Sequence, residues 1–418
     1  MAQLTDDCFA FGAPLVPIEQ ALDMVSARLE PVAAVERQPL AACLNRFLAA
    51  DVVAERDVPP ADNSAVDGYA VRFDDLAAGA DSVLAVGGRV AAGHPLGRPA
   101  RPGEAIRIFT GAPMPEGCDT VMMQEDCEEA DGRVRLRPGI RRGANRRKAG
   151  EDVAAGAVFL SAGRRLRPQD LGLCAAQGIT HLPVRRPLAV AIFSTGDELR
   201  EPGTALPPGA IYDANRTVLA ALLTGLGCEV SDLGILPDRR EAIAGALAEA
   251  AARADLIVTS GGMSTGEEDH VKAAVEAQGR LHVWRLAIKP GRPVAVGQVG
   301  AVPFLGLPGN PAAVMVTFLK VARPIVLRLA GAAEPEPVLY AVRAGFDYRK
   351  KPDRREYVRC RLQRDGDGAL VAHKFPRDGA GLLSSLIGSD GLVELAEPLT
   401  RLEPGTMVPF LPFSEVRL

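Results

Sequence analysis

The chain has 418 residues, 48 basic and 52 acidic side chains, a net charge of −4 and 47% hydrophobic residues. That length allows several buried cores without disulfide or metal staples, and the charge balance excludes nucleic-acid binding by bulk attraction. The 43 glycines and 33 prolines exceed the usual share and are spread along the chain, so they mark turns and close backbone approaches rather than a disordered tract.

In chain order, Pro17 to Leu48 predicts two amphipathic helices split at Pro31. Residues 57–150 place short apolar runs such as Ser82–Val86 and Ala105–Phe109 between glycines and prolines, which predicts a small β-rich unit. Residues 151–186 predict a return crossing with one helix, Pro168–Gln177, ended by Gly178. From Pro187 a strand, loop and helix repeat. Strands are expected at 188–193, 228–236 and 254–260, with helices at 213–227, 238–254 and 271–278. Further strands are expected at 282–288, 293–297 and 302–306, then a long helix over 311–330. Apolar runs without alternation, separated by helices, mean a parallel sheet covered on both faces. AAEPEPV after Gly331 reads as a linker, and 338–418 alternates apolar and polar residues as a small all-β unit does.

In such sheets ligands sit beyond the carboxyl ends of the strands, and the glycine-rich acidic loops fall there. TSGGMSTGEEDHV (259–271) combines Gly261, Gly262 and Gly266 with Ser260, Ser264 and Thr265 and then three acids, Glu267, Glu268 and Asp269. Two carboxylates about 4 Å apart repel by roughly 4 kcal/mol at an effective dielectric near 20, and a hard cation removes that cost. The alternative is a helix start capped by Ser264 or Thr265. FSTGDEL (193–199) carries Glu198 on a strand end, and Asp238 follows the strand at 228–236, either as a plain N-cap or as part of a site. In LAIKPGRPVAV (286–296), Lys289 and Arg292 stand on a proline-stiffened turn suited to a phosphate or oxyanion. In GLPGNPAAV (306–314), Asn310 caps and Pro311 opens a helix whose free N–H groups could hold an anion. Outside the sheet, DNSAVDGYAV (62–71), Thr110 in IFTGAPMPEGCDTV and the acid pair of KAGEDV (148–153) read, each alone, as turns.

Several chemistries are excluded. There is no G-x-x-x-x-G-K-[ST], no G-x-G-x-x-G after a strand and no G-x-S-x-G elbow. The five histidines form no close pair, and the seven cysteines form no C-x-x-C. This disfavours zinc and disulfides and favours a reducing compartment. The start MAQLTDDCFAFGAPLVP has no signal-peptide pattern, and Lys320, Arg323 and Arg328 break the most apolar long stretch. The expectation is a cytoplasmic protein with neither nucleic acid nor membrane as partner.

Taken together, PPADNSAVDGYAV, IFTGAPMPEGCDTVMMQED, GEDV, FSTGDEL followed by GAIYDANR, TSGGMSTGEEDH, LAIKPGRPVAVG and GLPGNPAAV resemble the motifs of the molybdopterin molybdenumtransferases, whose eukaryotic relative is the gephyrin E domain. The seven motifs occur in family order from residue 59 to 314. The resemblance implies an α/β fold: a three-layer, doubly wound, mostly parallel sheet domain (1–27 and 187–330), an elongated α+β linker domain (28–56 and 151–186), a β-rich inserted domain (57–150) and a C-terminal β-barrel-like domain (335–418). It implies insertion of molybdate into the dithiolene of adenylylated molybdopterin, with release of AMP and help from Mg²⁺. Glu198, Asp238 and Asp269 match the family's metal-site acids. Lys289, with Asp67, Thr110 and Asp152 from outside the sheet, matches catalytic positions. Gly261, Gly262, Ser264, Arg292, Pro308 and Pro311 match cofactor-binding loops. Arg354 or Arg355 and Ser384 or Ser385 align with a basic and a hydroxyl position, with Arg355 and Ser385 taken as the binding pair. Arg285 stands where the family often has Lys. The resemblance also implies a homodimer whose active site lies between subunits, with molybdopterin adenylyltransferase and molybdoenzyme apoproteins as further partners. Two other readings are adenylylation of molybdopterin, or related nucleotide hydrolysis, on the same sheet fold, and a non-catalytic scaffold. The motifs around Asp67 and Thr110 speak against the first, and the acids at three strand ends against the second.

Overall fold

The computed structural model describes residues 15–262 and 270–416. Its largest sheet has six strands: β1 (Ala189–Thr195), β2 (Glu229–Leu236), β3 (Leu256–Ser260), β4 (Gly279–Arg285), β5 (Pro293–Val299) and β6 (Val302–Leu307). They lie in the order β2-β1-β3-β6-β5-β4. Successive side chains of a strand point to opposite faces, and both faces here are apolar. Val190 and Ile192 of β1 join one core with Leu219 and Leu223 of helix α2 (Asn215–Gly225) and with Ile18, Ala21 and Val25 of helix α1 (Ile18–Arg28). Ala191 and Phe193 face the other way, against Ile243 and Leu247 of α3 (Arg240–Ala251) and Val271, Ala274 and Val275 of α4 (His270–Glu276). The uninterrupted apolar run 188–193 is thus the signature of a strand buried on two sides.

β1, β2, β3 and β6 run parallel, but β5 is antiparallel to both β6 and β4. The sheet is thus mostly parallel, as expected, with β5 the reversed strand. The physical reason is the two-residue connection Gly300–Ala301 between β5 and β6, because only an antiparallel pair can be joined so tightly. The reversal matters for the site. β5 starts at the edge where β1, β2, β3 and β6 end, so the turn 286–292 joins their loops.

Some local expectations need correction. The second helix expected before Leu48 is a strand, Val35–Pro39, antiparallel to His181–Arg185, followed by a single 3₁₀ turn, Leu40–Ala42. Pro39 interrupts any helix that would run on to Leu48, and the pairing with His181–Arg185 keeps the chain extended. Asp238 is not an N-cap: α3 begins at Arg240, and Asp238 Oδ1 instead accepts from Thr195 Oγ1 at 3.3 Å. Asn310 occupies the cap position of the helix at Pro311 but makes no side-chain cap bond. The long helix runs from Pro311 to Ala330 through a π turn at Phe318–Ala322. The strand expected at 282–288 divides, β4 ending at Arg285 and Ile288–Lys289 joining a different sheet. Trp284, fully buried, is core as expected.

The segments flanking 57–150 pair with each other, Val35–Pro39 with His181–Arg185 and Val52–Val53 with Val158–Leu160, and the helix Pro168–Ala176 packs beside them. Between them lies a second six-stranded sheet, built from strands between Gly68 and Leu136. At the C-terminus, Arg355–Arg364, Leu370–Lys374, Tyr340–Ala344, Met407–Pro412 and Gly391–Leu395 pair in turn, and the last closes back on the first. This is a five-stranded barrel around Val342, Val358, Ala372, Val393 and Phe410. Among the described residues, no helix is long and apolar enough to cross a membrane.

Candidate active site

The carboxyl edge of the large sheet and one wall of the barrel enclose a cavity of about 600 Å³. The sheet contributes Glu198 from the loop after β1, Gly261 and Gly262 after β3, Lys289 to Pro293 before β5, and Pro308 to Asn310 after β6. The barrel contributes Tyr348, Glu356 to Arg359, Lys374, Phe375 and Arg377 to Ala380.

Glycine is required at two of these positions. Gly262 has φ +66°, and a Cβ there would lie 2.7 Å from Val271 Cγ2 and 3.1 Å from Thr195 Cγ2. Gly291 has φ +100°, and its Cβ would lie 2.4 Å from Thr317 Cγ2. The Lys-Pro-Gly-Arg turn therefore sits directly on the helix that begins at Pro311; that helix has no N–H at Pro311, and its Ala312 N–H donates to Ala380 O at 2.8 Å.

Lys289 is oriented from the barrel. Ile288–Lys289 pairs with Arg355–Glu356 as a short parallel strand, and Lys289 Nζ donates to Glu356 Oε2 at 3.3 Å. Glu356 is 1% exposed and also accepts from Tyr348 Oη at 2.8 Å and Arg354 Nε at 2.7 Å. Burial pushes its carboxyl up, but the bonds from Tyr348 and Arg354 overcome that and hold it below the ordinary glutamate value. On the same wall Arg359 Nη1 donates to Gly379 O at 2.8 Å, and burial lowers this guanidinium from its usual value. Lys374 pairs with Asp378 at 2.9 Å. Arg292 and Arg377 have no ion-pair partner among the described residues. Cations thus outnumber acids in the cavity, and a desolvated guanidinium gains most from an incoming anion.

Of the acids expected to hold a metal, Glu198 lines the cavity, whereas Asp238 stands behind it, beside Thr195 at the end of β1. The Glu198 carboxylate folds back toward Gly196, and Asp238 reaches Thr195. Among the described residues neither has an ion-pair partner. Their unneutralised oxygen donors fit a hard cation such as Mg²⁺. Asp269, the third acid, and Ser264 lie outside the described residues, and among those described no group of three potential ligands forms.

The remaining candidates lie elsewhere. Pro311 opens the helix whose Ala313 lines the cavity. Asp67 and Thr110 pair with each other on the inserted sheet, Thr110 donating through both N and Oγ1 to Asp67 Oδ1 at 2.8 Å. These bonds, the backbone one first, keep the Asp67 carboxyl below its usual value. Asp152 is exposed in a turn, its N–H donating to Val58 O at 3.0 Å. Arg355 is held by Glu19 at 2.6 Å and Glu397 at 3.1 Å. Ser385 is buried, its hydroxyl donating to Leu382 O. None of Asp67, Thr110, Asp152, Arg355 or Ser385 lines this chain's cavity. The sequence reading also missed the barrel's Tyr348, Glu356, Arg359, Lys374 and Arg377. One clue was present: KFPRDG (374–379) sets two cations on a turn stiffened by Pro and Gly, as KPGR does.

Three family descriptions match the chain in succession: "MoeA N-terminal region (domain I and II)" over 16–178, "Probable molybdopterin binding domain" over 191–328 and "MoeA C-terminal region (domain IV)" over 341–413. The molybdopterin molybdenumtransferase of Haemophilus influenzae is 36% identical over 404 residues, covering 96% of this chain and 100% of that protein. This chain belongs to the molybdopterin molybdenumtransferase family. Another member, molybdopterin molybdenumtransferase 2 of Mycobacterium tuberculosis, is 35% identical over 380 residues, covering 88% of this chain and 93% of the relative. Among solved structures of the family, the molybdopterin biosynthesis MoeA protein of Pyrococcus horikoshii OT3 superposes with a TM-score of 0.82 at 28% identity, covering 96% of this chain and 100% of that one. Another solved structure, also described as a molybdopterin biosynthesis MoeA protein from Pyrococcus horikoshii, gives 0.76 at 32% identity over 96% of this chain and 99% of that one.

Proposed function

We propose that this chain is a molybdopterin molybdenumtransferase that inserts molybdate into the dithiolene of adenylylated molybdopterin and releases AMP. The observation that carries this reading is the cavity itself, where cations from the sheet edge and from the barrel face each other across room for a phosphate-bearing ligand. Lys289 and Arg292 would neutralise the phosphates. The helix that follows the Pro308–Asn310 turn would add the positive end of its dipole. Arg359, Lys374 and Arg377, on the barrel wall, form the cationic surface best suited to the molybdate oxyanion. Gly262, free of a Cβ, lets the backbone approach the ligand closely.

Glu198 and Asp238 would hold Mg²⁺. When bound, such an ion would neutralise charge building on the phosphoanhydride during its hydrolysis. A homodimer is part of the same proposal: Asp67, Thr110 and Asp152 of one subunit are assigned to the cavity of the other. A cytoplasmic location belongs to it too, supported by the six unbridged cysteines among the described residues.

The test is a reconstituted insertion assay with purified protein, adenylylated molybdopterin, molybdate and Mg²⁺. AMP release that needs both molybdate and Mg²⁺, and yields cofactor that activates an apo-molybdoenzyme, is expected. Formation of adenylylated molybdopterin from ATP, with no molybdate-dependent AMP release, would replace this reading with the adenylyltransferase one. For the shared site, co-expressed Asp67→Asn and Glu198→Gln chains should regain activity in mixed dimers. Failure of mixed dimers to exceed either parent removes the intersubunit assignment.

A further inference from the structure

Helix α2 opens with two polar side chains that the reading above leaves unused. Asn215 Nδ2 donates to Ser260 Oγ at 2.9 Å and to Gly309 O at 2.7 Å, and Ser260 Oγ donates onward to Pro308 O at 3.1 Å. Asn215 thereby ties the end of β3 to the turn after β6, and both segments line the cavity through Gly261, Pro308 and Gly309. Arg216, 8% exposed, binds Asp213 at 3.0 Å, Asp232 on β2, and Glu201 at 2.6 Å in the loop after β1. That loop carries Glu198, whose carbonyl accepts from Ile211 N at 2.8 Å. One helical turn thus reaches the strand or the following loop of β1, β2, β3 and β6.

The chemistry of this turn exceeds what helix capping needs. Asp213 alone satisfies the start of α2 through Arg216 N, 3.2 Å away. Glu201 and Asp232 add two more carboxylates around one guanidinium, which is costly unless the arginine stays in place. Their side chains are 46% and 44% exposed, so both could sit in water. Holding them on Arg216 fixes the loop rather than filling a core.

We infer that Asn215 and Arg216 are positioning residues of the site, Arg216 setting the Glu198 loop and Asn215 setting the Pro308–Asn310 turn. The inference rests on the reading that Glu198 helps hold the metal and that the turn receives the anionic substrate.

The test uses full-length Glu201→Gln and Asn215→Ala, with Arg216→Lys as the conservative variant and Glu198→Gln as the control. Glu201 is half exposed, so its variant should fold. Hydrogen exchange in Glu201→Gln should quicken about tenfold at Leu199 and Ile211, as expected for losing a partly exposed charge-assisted bond. The Mg²⁺ concentration giving half-maximal AMP release should rise by about the same factor, with kcat at saturating Mg²⁺ within about twofold of the parent. Arg216→Lys, lacking the planar fork, should match Glu201→Gln. Asn215→Ala should raise KM for adenylylated molybdopterin about tenfold with kcat little changed. Unchanged exchange at Leu199 and Ile211, or quickened exchange with unchanged Mg²⁺ dependence while Glu198→Gln shifts that dependence, overturns the role of Arg216. An unchanged KM in Asn215→Ala overturns that of Asn215. If Glu198→Gln itself leaves the Mg²⁺ dependence unaltered while Glu201→Gln still loosens the loop, positioning stands and the metal assignment of Glu198 fails.

Discussion

Replacing Glu356 by Gln removes one buried charge at almost constant volume, so its cost reports the network that orients Lys289. Three donors converge on this carboxylate: Tyr348, Arg354 and Lys289. Lys289 is half exposed, and its ion pair at 3.3 Å contributes under about 1 kcal/mol once solvent screening is counted. Arg354 is only 16% exposed, and a bond from such a charged donor is worth about 1.5–3 kcal/mol. The glutamine carbonyl still accepts one bond, so the net loss is about 2–3 kcal/mol. For a barrel of this size that lowers the melting transition by roughly 10 °C, read by calorimetry at pH 7. The pH dependence supplies a second check. The native carboxyl titrates below its unfolded value, so its stabilisation is full above about pH 4.3 and is lost as pH falls through the native value. The gap between parent and variant should therefore close in acid. A shift under about 2 °C at neutral pH, or a gap that persists below the native titration, would refute the reasoning.

Gly262→Ala forces a left-handed residue against Val271 and Thr195; it should cost about 1–2 kcal/mol of stability, measured by denaturant titration, and reduce AMP release more than tenfold. Asp67→Asn keeps an oxygen that can accept both Thr110 bonds but removes the negative charge at this surface position. The fold should survive, with unchanged circular dichroism, while kcat falls about a hundredfold; full activity would end the assignment of that pair. Glu394→Gln strands the buried ammonium of Lys320, which pairs with it at 2.6 Å at the π turn. It should destabilise by about 3–5 kcal/mol, whereas the double variant Lys320→Met, Glu394→Leu should recover most of that.

The sequence alone placed the acids and glycines at strand ends, because a strand buried on both faces is an unbroken apolar run and its end is marked by Gly, Asp or Pro. Glu198, Gly261, Gly262 and Pro308 could be named that way, and Lys289 and Arg292 from the proline-stiffened turn that carries them; all line one cavity. Local pattern failed where distant pairing decides the backbone. Val35–Pro39 is a strand because it meets His181–Arg185, and Asp238 turns away from its helix because Thr195 lies beside it. Tertiary structure alone decided the other half of the site. A two-residue turn reverses β5 and delivers Lys289 to the shared edge, and residues some 70 positions further on close the barrel that supplies Glu356, Arg359 and Lys374. Side-chain periodicity reports which face of an element is buried, but not which remote charge will stand opposite it. That is fixed only when the barrel docks and Glu356 meets Lys289.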